Sequence, residues 1–254
     1  MKRTLTTLLL CLILGASAFA QGGQDKKPAD SKPADAPSVD QILNKYVEAS
    51  GGKAAIEKQT SRMAKGTFEI PAMGASGTAE VYEKAPNKSL IVITIPGFGV
   101  VQEGFNGTVA WSQNPQEGLR EKSGQELADT KLDAEFYKTL KLKQLYPKIT
   151  FKGKEKVGDK EAYHLEATPA EGSTEQWYFD AASGLLIRSD SERETPQGKM
   201  PVKTFMEDYR DVNGVKMPFS MRQELPMFTL TIKIDEVKPN VPIDDAKFNK
   251  PSGQ

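Results

Sequence analysis

Cysteine and histidine are almost missing from this chain, with one of each in 254 residues, Cys11 and His164. A single thiol closes no intrachain disulfide, and a single imidazole builds no histidine-based metal site. Charge of one sign is missing as well, because 34 Lys and Arg face 34 Asp and Glu. Such a balance gives a nucleic-acid partner no electrostatic footprint. No glycine-rich phosphate loop follows a strand pattern, and no G-x-S-x-G elbow occurs. Carboxylates are plentiful, as in Glu207-Asp208 and Asp244-Asp245, but no pair has a diagnostic spacing. His164 lies in an alternating segment beside Ala162 and Glu166, with no nucleophile in view for a general base to serve. These gaps exclude the familiar enzyme constellations, so the chain reads as a non-enzyme without catalytic residue, cofactor or metal.

What is present begins with an export signal. Lys2 and Arg3 precede a compact apolar run, Leu8 to Leu14, and Ala18-Phe19-Ala20 supplies a small-x-small cleavage pattern. The run is well short of the roughly 20 residues that span a bilayer. Residues 1–20 therefore read as a cleavable signal peptide, which makes the mature chain an exported protein. Cys11 leaves with it, and 32 bases then face 34 acids. Residues 21–37 read as a disordered linker, with the near-repeat Lys27-Pro28-Ala29-Asp30 and Lys32-Pro33-Ala34-Asp35 and no large apolar side chain. Residues 38–254 read as one domain.

That domain opens with a helix capped by Ser38 or Asp40. Val39, Ile42, Leu43, Tyr46 and Val47 form its apolar stripe, and Gly51-Gly52 ends it. A short turn over Lys53 to Lys58 follows. The period then changes from 3.6 to 2. Candidate strands are Arg62–Ile70, Gly77–Lys84, Ser89–Ile95, Val100–Phe105 and Val109–Ser112. Later ones are Ile149–Val157, Ala162–Thr168, Gln176–Asp180, Leu185–Glu192, Val202–Val212, Lys216–Glu224 and Phe228–Val237. Asn106-Gly107, Gly158-Asp159, Ser183-Gly184 and Asn213-Gly214 supply hairpin turns. Between the two strand groups, Gly124 to Leu145 carries a helical stripe of Leu127, Leu132, Phe136, Leu140 and Leu145. No regular alternation of helix and strand appears, which excludes a parallel βαβ fold. A single antiparallel sheet of this size must curl into a barrel or split into a sandwich to bury one face.

Four segments then resemble a known family: "ILNKYVEASGGKAAIEK", "GFNGTVAWSQNP", "WYFDAASGLLIRSD" and "DYRDVNGVKMPFSMR". They are similar to exported bacterial domains of the lipoprotein-carrier superfamily, the LolA/LolB-like outer-membrane lipoprotein-sorting proteins, over roughly Val39 to Val237. The resemblance implies a mainly β, α+β fold: an unclosed antiparallel barrel of about 11 strands with helices over its concave face. It also implies a periplasmic carrier that holds a lipid or lipoprotein acyl chains in a greasy interior. The other reading is a non-enzymatic envelope accessory or interaction domain whose barrel is filled by its own side chains.

Strand alternation supplies a candidate cavity wall: Ile91, Ile93, Trp111, Trp177, Phe179, Met217, Phe219, Met221, Leu230 and Ile232. Met217 and Met221 suit a wall that re-packs around varied apolar ligands, or ordinary core filling. Phe98, between Gly97 and Gly99 at a strand end, is a candidate gate, and Pro71-Ala72-Met73-Gly74 offers a similar apolar tip. Lys138, Lys141, Lys143, Lys148, Lys152, Lys154 and Lys156 form either a face for an anionic membrane or a solvated edge. The expected partners are a lipid or lipidated protein, with an envelope membrane or protein behind it. Nucleic acid is not among them, and the chain reads as a monomer.

Overall fold

The computed structural model describes residues 36–195 and 198–252. The expected signal peptide lies outside these residues, and so does the expected linker apart from Ala36 and Pro37. The chain divides into two units, Met1–Ala36 and Pro37–Gln254, and the second carries the fold described here.

Ser38 caps α1 (Val39–Ala49). Its hydroxyl accepts the Gln41 N–H at 3.2 Å, and the Gln41 side chain accepts the Ser38 N–H at 2.7 Å. Two backbone donors that would otherwise be orphaned are thus satisfied reciprocally. Gly51 ends the helix at φ 118°, and a Cβ there would lie 2.0 Å from the Gly214 carbonyl oxygen. Glycine is required twice over, by the left-handed backbone and by the close approach. A short α2 (Gly52–Glu57) follows.

The first strand group is β1 (Ser61–Ile70), β2 (Ala75–Lys84), β3 (Lys88–Ile95), β4 (Gly99–Phe105), β5 (Ala110–Asn114) and β6 (Gly118–Glu121). The second is β7 (Lys148–Val157), β8 (Lys160–Thr168), β9 (Glu175–Asp180), β10 (Leu186–Thr195), β11 (Gly198–Val212), β12 (Val215–Glu224) and β13 (Thr229–Pro239). They make one 13-stranded antiparallel sheet, in the order β6-β5-β4-β3-β2-β1-β13-β12-β11-β10-β9-β8-β7. Each group is a meander, and β13 joins the two by pairing with β1. The edge strands β6 and β7 each have one neighbour, so the sheet is unclosed. The count exceeds the expected 11 or so. Every strand read from alternation is present, and β6 is added. It is only four residues long, with Leu119 its one large apolar side chain, too little for a period to register.

Between the edges run α3 (Gly124–Ala134) and α4 (Lys138–Leu145). The sequence pattern predicted one amphipathic stretch there. The break falls where Glu135 turns extended and the Phe136 N–H donates to the Pro86 carbonyl at 3.0 Å. Helix α3 touches β4 and β5 and also β10. Six strands separate β4 from β10 in the sheet order. The sheet must therefore curl around α3, and its strong twist makes that possible.

The two halves of the concavity are filled differently. On the β7–β9 side, α1 and α4 close down on the sheet. Ile42, Leu43, Leu142, Tyr146, Leu165, Trp177 and Phe179 form one buried core there. On the β2–β5 side, an apolar cluster lies on the opposite, outer face: Leu90 and Trp111 against Ile243 and Phe248 of the C-terminal segment. Trp111 Nε1 donates to the Phe248 carbonyl at 3.0 Å. The Trp111 ring lies across Gly104, where a Cβ would come within 2.4 Å of it. A strap from the chain's end thus covers the outside of these strands, while their inner face looks toward α3.

Candidate functional site

The register across five strands builds a graded wall. Val81 pairs with Ile91, Ile91 with Glu103, Glu103 with Ser112, and Ser112 with Arg120. Paired residues of adjacent strands share a face. One row therefore passes from aliphatic to carboxylate to guanidinium as it moves from β2 to β6. All five line a cavity of about 540 Å³ between the sheet and α3. Val101 on β4, Val202 on β11 and Leu225 just past the end of β12 extend its apolar side.

Helix α3 supplies the opposite, polar side. Glu126, Asp129, Thr130 and Asp133 all line the cavity, at the i, i+3, i+4, i+7 spacing that puts them on one helix face. Arg120 meets Glu126 bidentately at 2.7 and 2.8 Å, and Lys122 meets Glu103 at 2.7 Å. Planar guanidinium–carboxylate pairing of this kind fixes geometry as well as charge. Asp129 is 6% exposed. It accepts the Ser173 N–H at 2.7 Å, the Ser173 hydroxyl at 3.1 Å and the Gln125 amide at 3.2 Å. Counted along the lining, seven carboxylates face three basic side chains, Arg120, Lys122 and Arg193.

A second cavity of about 250 Å³ lies under α1 and the α3–α4 break, with Tyr46, Phe136, Met206, Tyr209 and Met217 among its walls. Glu83 and Asp133 belong to both linings. Their ion pairs therefore stand between the cavities. Glu83 is held by Arg62, while Asp133 meets Arg193 at 2.7 Å and Lys138 at 3.3 Å. Burial alone would push the Lys138 ammonium down, but Asp133 and Glu175 outweigh it and raise the pKa. Burial alone would raise the Asp133 carboxyl, but Lys138 and Arg193 outweigh that and hold it below its usual value. The network continues into the filled half. There Glu175 accepts Tyr146 Oη at 2.6 Å and Trp177 Nε1 at 2.7 Å. Removing one member of such a set leaves buried polar groups unmatched.

The expected wall residues part company here. Ile91 lines the larger cavity and Met217 the smaller. Ile93 pairs with Val101, and Leu230 with Gln223, each a partner that faces the larger cavity. Met217, Phe219, Met221 and Ile232 pack together around Val212 and Ile234. Trp111 is a correction: it points to the outer face, because its parity along β5 is opposite to that of cavity-lining Ser112. Trp177 and Phe179 are corrections too. Their side of the concavity is occupied by α1 and α4, which makes them core and not cavity wall. The charged residues of the site were not anticipated. Their readable signal is the polar stripe Glu126, Asp129, Thr130, Asp133, which runs beside the apolar stripe of the same segment.

Phe98 sits at the β3–β4 hairpin end, 39% exposed. The antiparallel order sets the β1–β2, β3–β4 and β12–β13 turns side by side at one end of the sheet. There Met73 and Met227 are 64% and 87% exposed. His164 is placed away from all of this. Its ring contacts Glu155 and Gln176 at 2.7 Å each and stacks on Tyr178. The lysine run is largely spent on ion pairs: Lys138 with Asp133, Lys141 with Glu135, Lys143 with Asp40 and Lys152 with Glu166. Among the described residues, no group of three or more His, Cys, Asp or Glu is arranged to hold a metal.

No family model matches the chain, and no curated protein matches it in sequence. Solved structures do match its shape. A DUF1329 family protein from Desulfovibrio piger superposes with a TM-score of 0.58 at 19% identity, covering 83% of this chain and 97% of that one. A LolA superfamily protein from Nitrosomonas europaea gives 0.56 at 14% identity, covering 85% and 99%. The fold is LolA-like. A putative outer membrane lipoprotein-sorting protein domain from Vibrio parahaemolyticus agrees, with a TM-score of 0.55 at 13% identity over 84% of this chain and 98% of that one. At these identities the shared property is the LolA-like fold itself.

Proposed function

We propose that this protein is an exported periplasmic binding or carrier protein that holds a lipid or acyl chain between α3 and the sheet. The observation that carries the reading is the cavity of about 540 Å³ walled on one side by Val81, Ile91, Val101, Val202 and Leu225. Its size falls in the range of sites that take one small-molecule ligand. The LolA-like fold, shared with a domain named for lipoprotein sorting, supports a lipid or lipidated protein as cargo. The role is non-enzymatic. The test is uptake of a fluorescent acyl probe by delipidated protein, together with mass spectrometry of lipid extracted from the native protein. Saturable uptake and co-purifying lipid support the reading; neither signal would sink it.

The hairpin ends support contact with a lipid surface, with Phe98 as part of the cavity's apolar rim. Residues 70–79, 89–102 and 225–232 contain no charged side chain. A charge-free edge with Met73, Phe98, Val100 and Met227 exposed matches shallow entry into a bilayer interface better than a mixed-charge protein contact. The accessory-domain reading has one observation in its favour, the core of Trp177 and Phe179 that fills half of the concavity.

A further inference from the structure

The larger cavity is not greasy throughout, and its chemistry is arranged in a direction. The row Val81–Ile91–Glu103–Ser112–Arg120 grades from apolar to charged along one wall. Opposite its charged end, α3 turns Glu126, Asp129 and Asp133 inward. Within the lining, seven carboxylates against three basic groups leave an excess of four negative charges. Arg62 and Lys138 neutralise Glu83 and Asp133 from beyond the lining, and the excess is still two. Asp129 is buried and held by hydrogen-bond donors from Ser173 and Gln125, with the Arg193 charge near enough to act on it. Among the described residues no basic nitrogen forms an ion pair with it.

A second observation comes from the same row. Ser112 is only 6% exposed, faces the cavity, and its hydroxyl has no hydrogen-bond partner among the described residues. A buried hydroxyl without a partner is uncommon and calls for an explanation. A pure hydrocarbon ligand would leave that hydroxyl unmatched and the net negative charge of the lining uncompensated. An anionic head would find only Arg120 Nε, on a guanidinium already held by Glu126, and would otherwise meet like charge in a partly desolvated space. A cationic head would meet opposite charge and keep its tail against Val81, Ile91 and Val101.

We infer that the cavity takes a single-chain amphiphile with an ammonium-bearing head, its tail on the β2–β4 wall and its head between Ser112 and α3. The inference rests on the carrier reading and narrows its ligand class.

The experiment uses delipidated full-length mature protein and three fluorescent probes with the same hexadecyl chain, bearing primary ammonium, uncharged polyol or carboxylate heads. The ammonium probe is expected to bind about ten-fold more tightly than the carboxylate probe at low salt, with the uncharged probe between them. That spread is expected to shrink as salt rises toward ~0.5 M, where the screening length falls to a few ångströms. Glu103→Gln combined with Glu194→Gln, a further carboxylate of the lining, or Asp129→Asn alone, is expected to reduce the ammonium preference about five-fold. Affinity for the uncharged probe is expected to fall less than that for the ammonium probe, whereas mere loss of the cavity would weaken both alike. Equal binding of all three heads, or tighter binding of the carboxylate, overturns head selection and leaves the carrier reading standing. Binding of none overturns both.

Discussion

Truncating Trp177 separates a filled half-barrel from a hollow one. Trp177 is 2% exposed, meets Tyr146 edge-on with ring centroids 4.6 Å apart, and donates its indole N–H to Glu175 at 2.7 Å. Trp177→Ala removes the ring from a close-packed site, which costs about 3–5 kcal/mol. It also takes a donor from a buried carboxylate, worth about 1–3 kcal/mol more when no other group replaces it. A loss of about 4–8 kcal/mol in a domain of this size lowers the melting temperature by roughly 10–30 °C. The assay is thermal unfolding followed by circular dichroism, paired with acyl-probe titration at a temperature where the variant stays folded. The expected result is a large drop in melting temperature with probe affinity within about two-fold of wild type. A drop smaller than about 3 °C together with lost binding would refute the reasoning, because it would place Trp177 on a ligand surface.

The cavity wall behaves in the opposite way. Ile91 is 39% exposed toward the cavity, so Ile91→Ala costs stability less than about 1 kcal/mol and weakens acyl-probe binding about five-fold, as isothermal titration would record. Acid titration tests the ion network. Asp133 has a lowered pKa in the folded state, so its contribution is present above the unfolded value near 3.9 and is lost as pH falls through the folded value. Melting temperature is therefore expected to fall as pH drops below about 4, and the slope in Asp133→Asn to be shallower; equal slopes would remove Asp133 from the network. For the rim, Met73→Asp with Met227→Asp is expected to abolish co-sedimentation with neutral vesicles while leaving melting temperature within about 2 °C. Unchanged sedimentation would end the lipid-surface contact.

Much of the fold was legible because a two-residue period survives without knowledge of neighbours. Phe228 to Val237 and Ser89 to Ile95 alternate plainly, and both became strands, β13 and β3. The Ser38 cap and the Gly51 stop were equally local. The site was less legible, for reasons of register. Alternation says that Trp111 and Ser112 face opposite sides, but only the pairing of Ser112 with Glu103 and Arg120 says which side is concave. Trp177 and Phe179 sit on a face whose occupancy depends on where α1 and α4 pack, which no strand pattern carries. The charged wall was visible as a polar stripe on α3, yet an inward polar face is distinguished from a solvated one only by the sheet that curls over it.

Native mass spectrometry of the protein purified from its own cell envelope tests the central claim most directly. One amphiphile per chain, released on activation and carrying a positively charged head, is the predicted result. A bare protein mass, with no extractable lipid and no partner, would contradict the account.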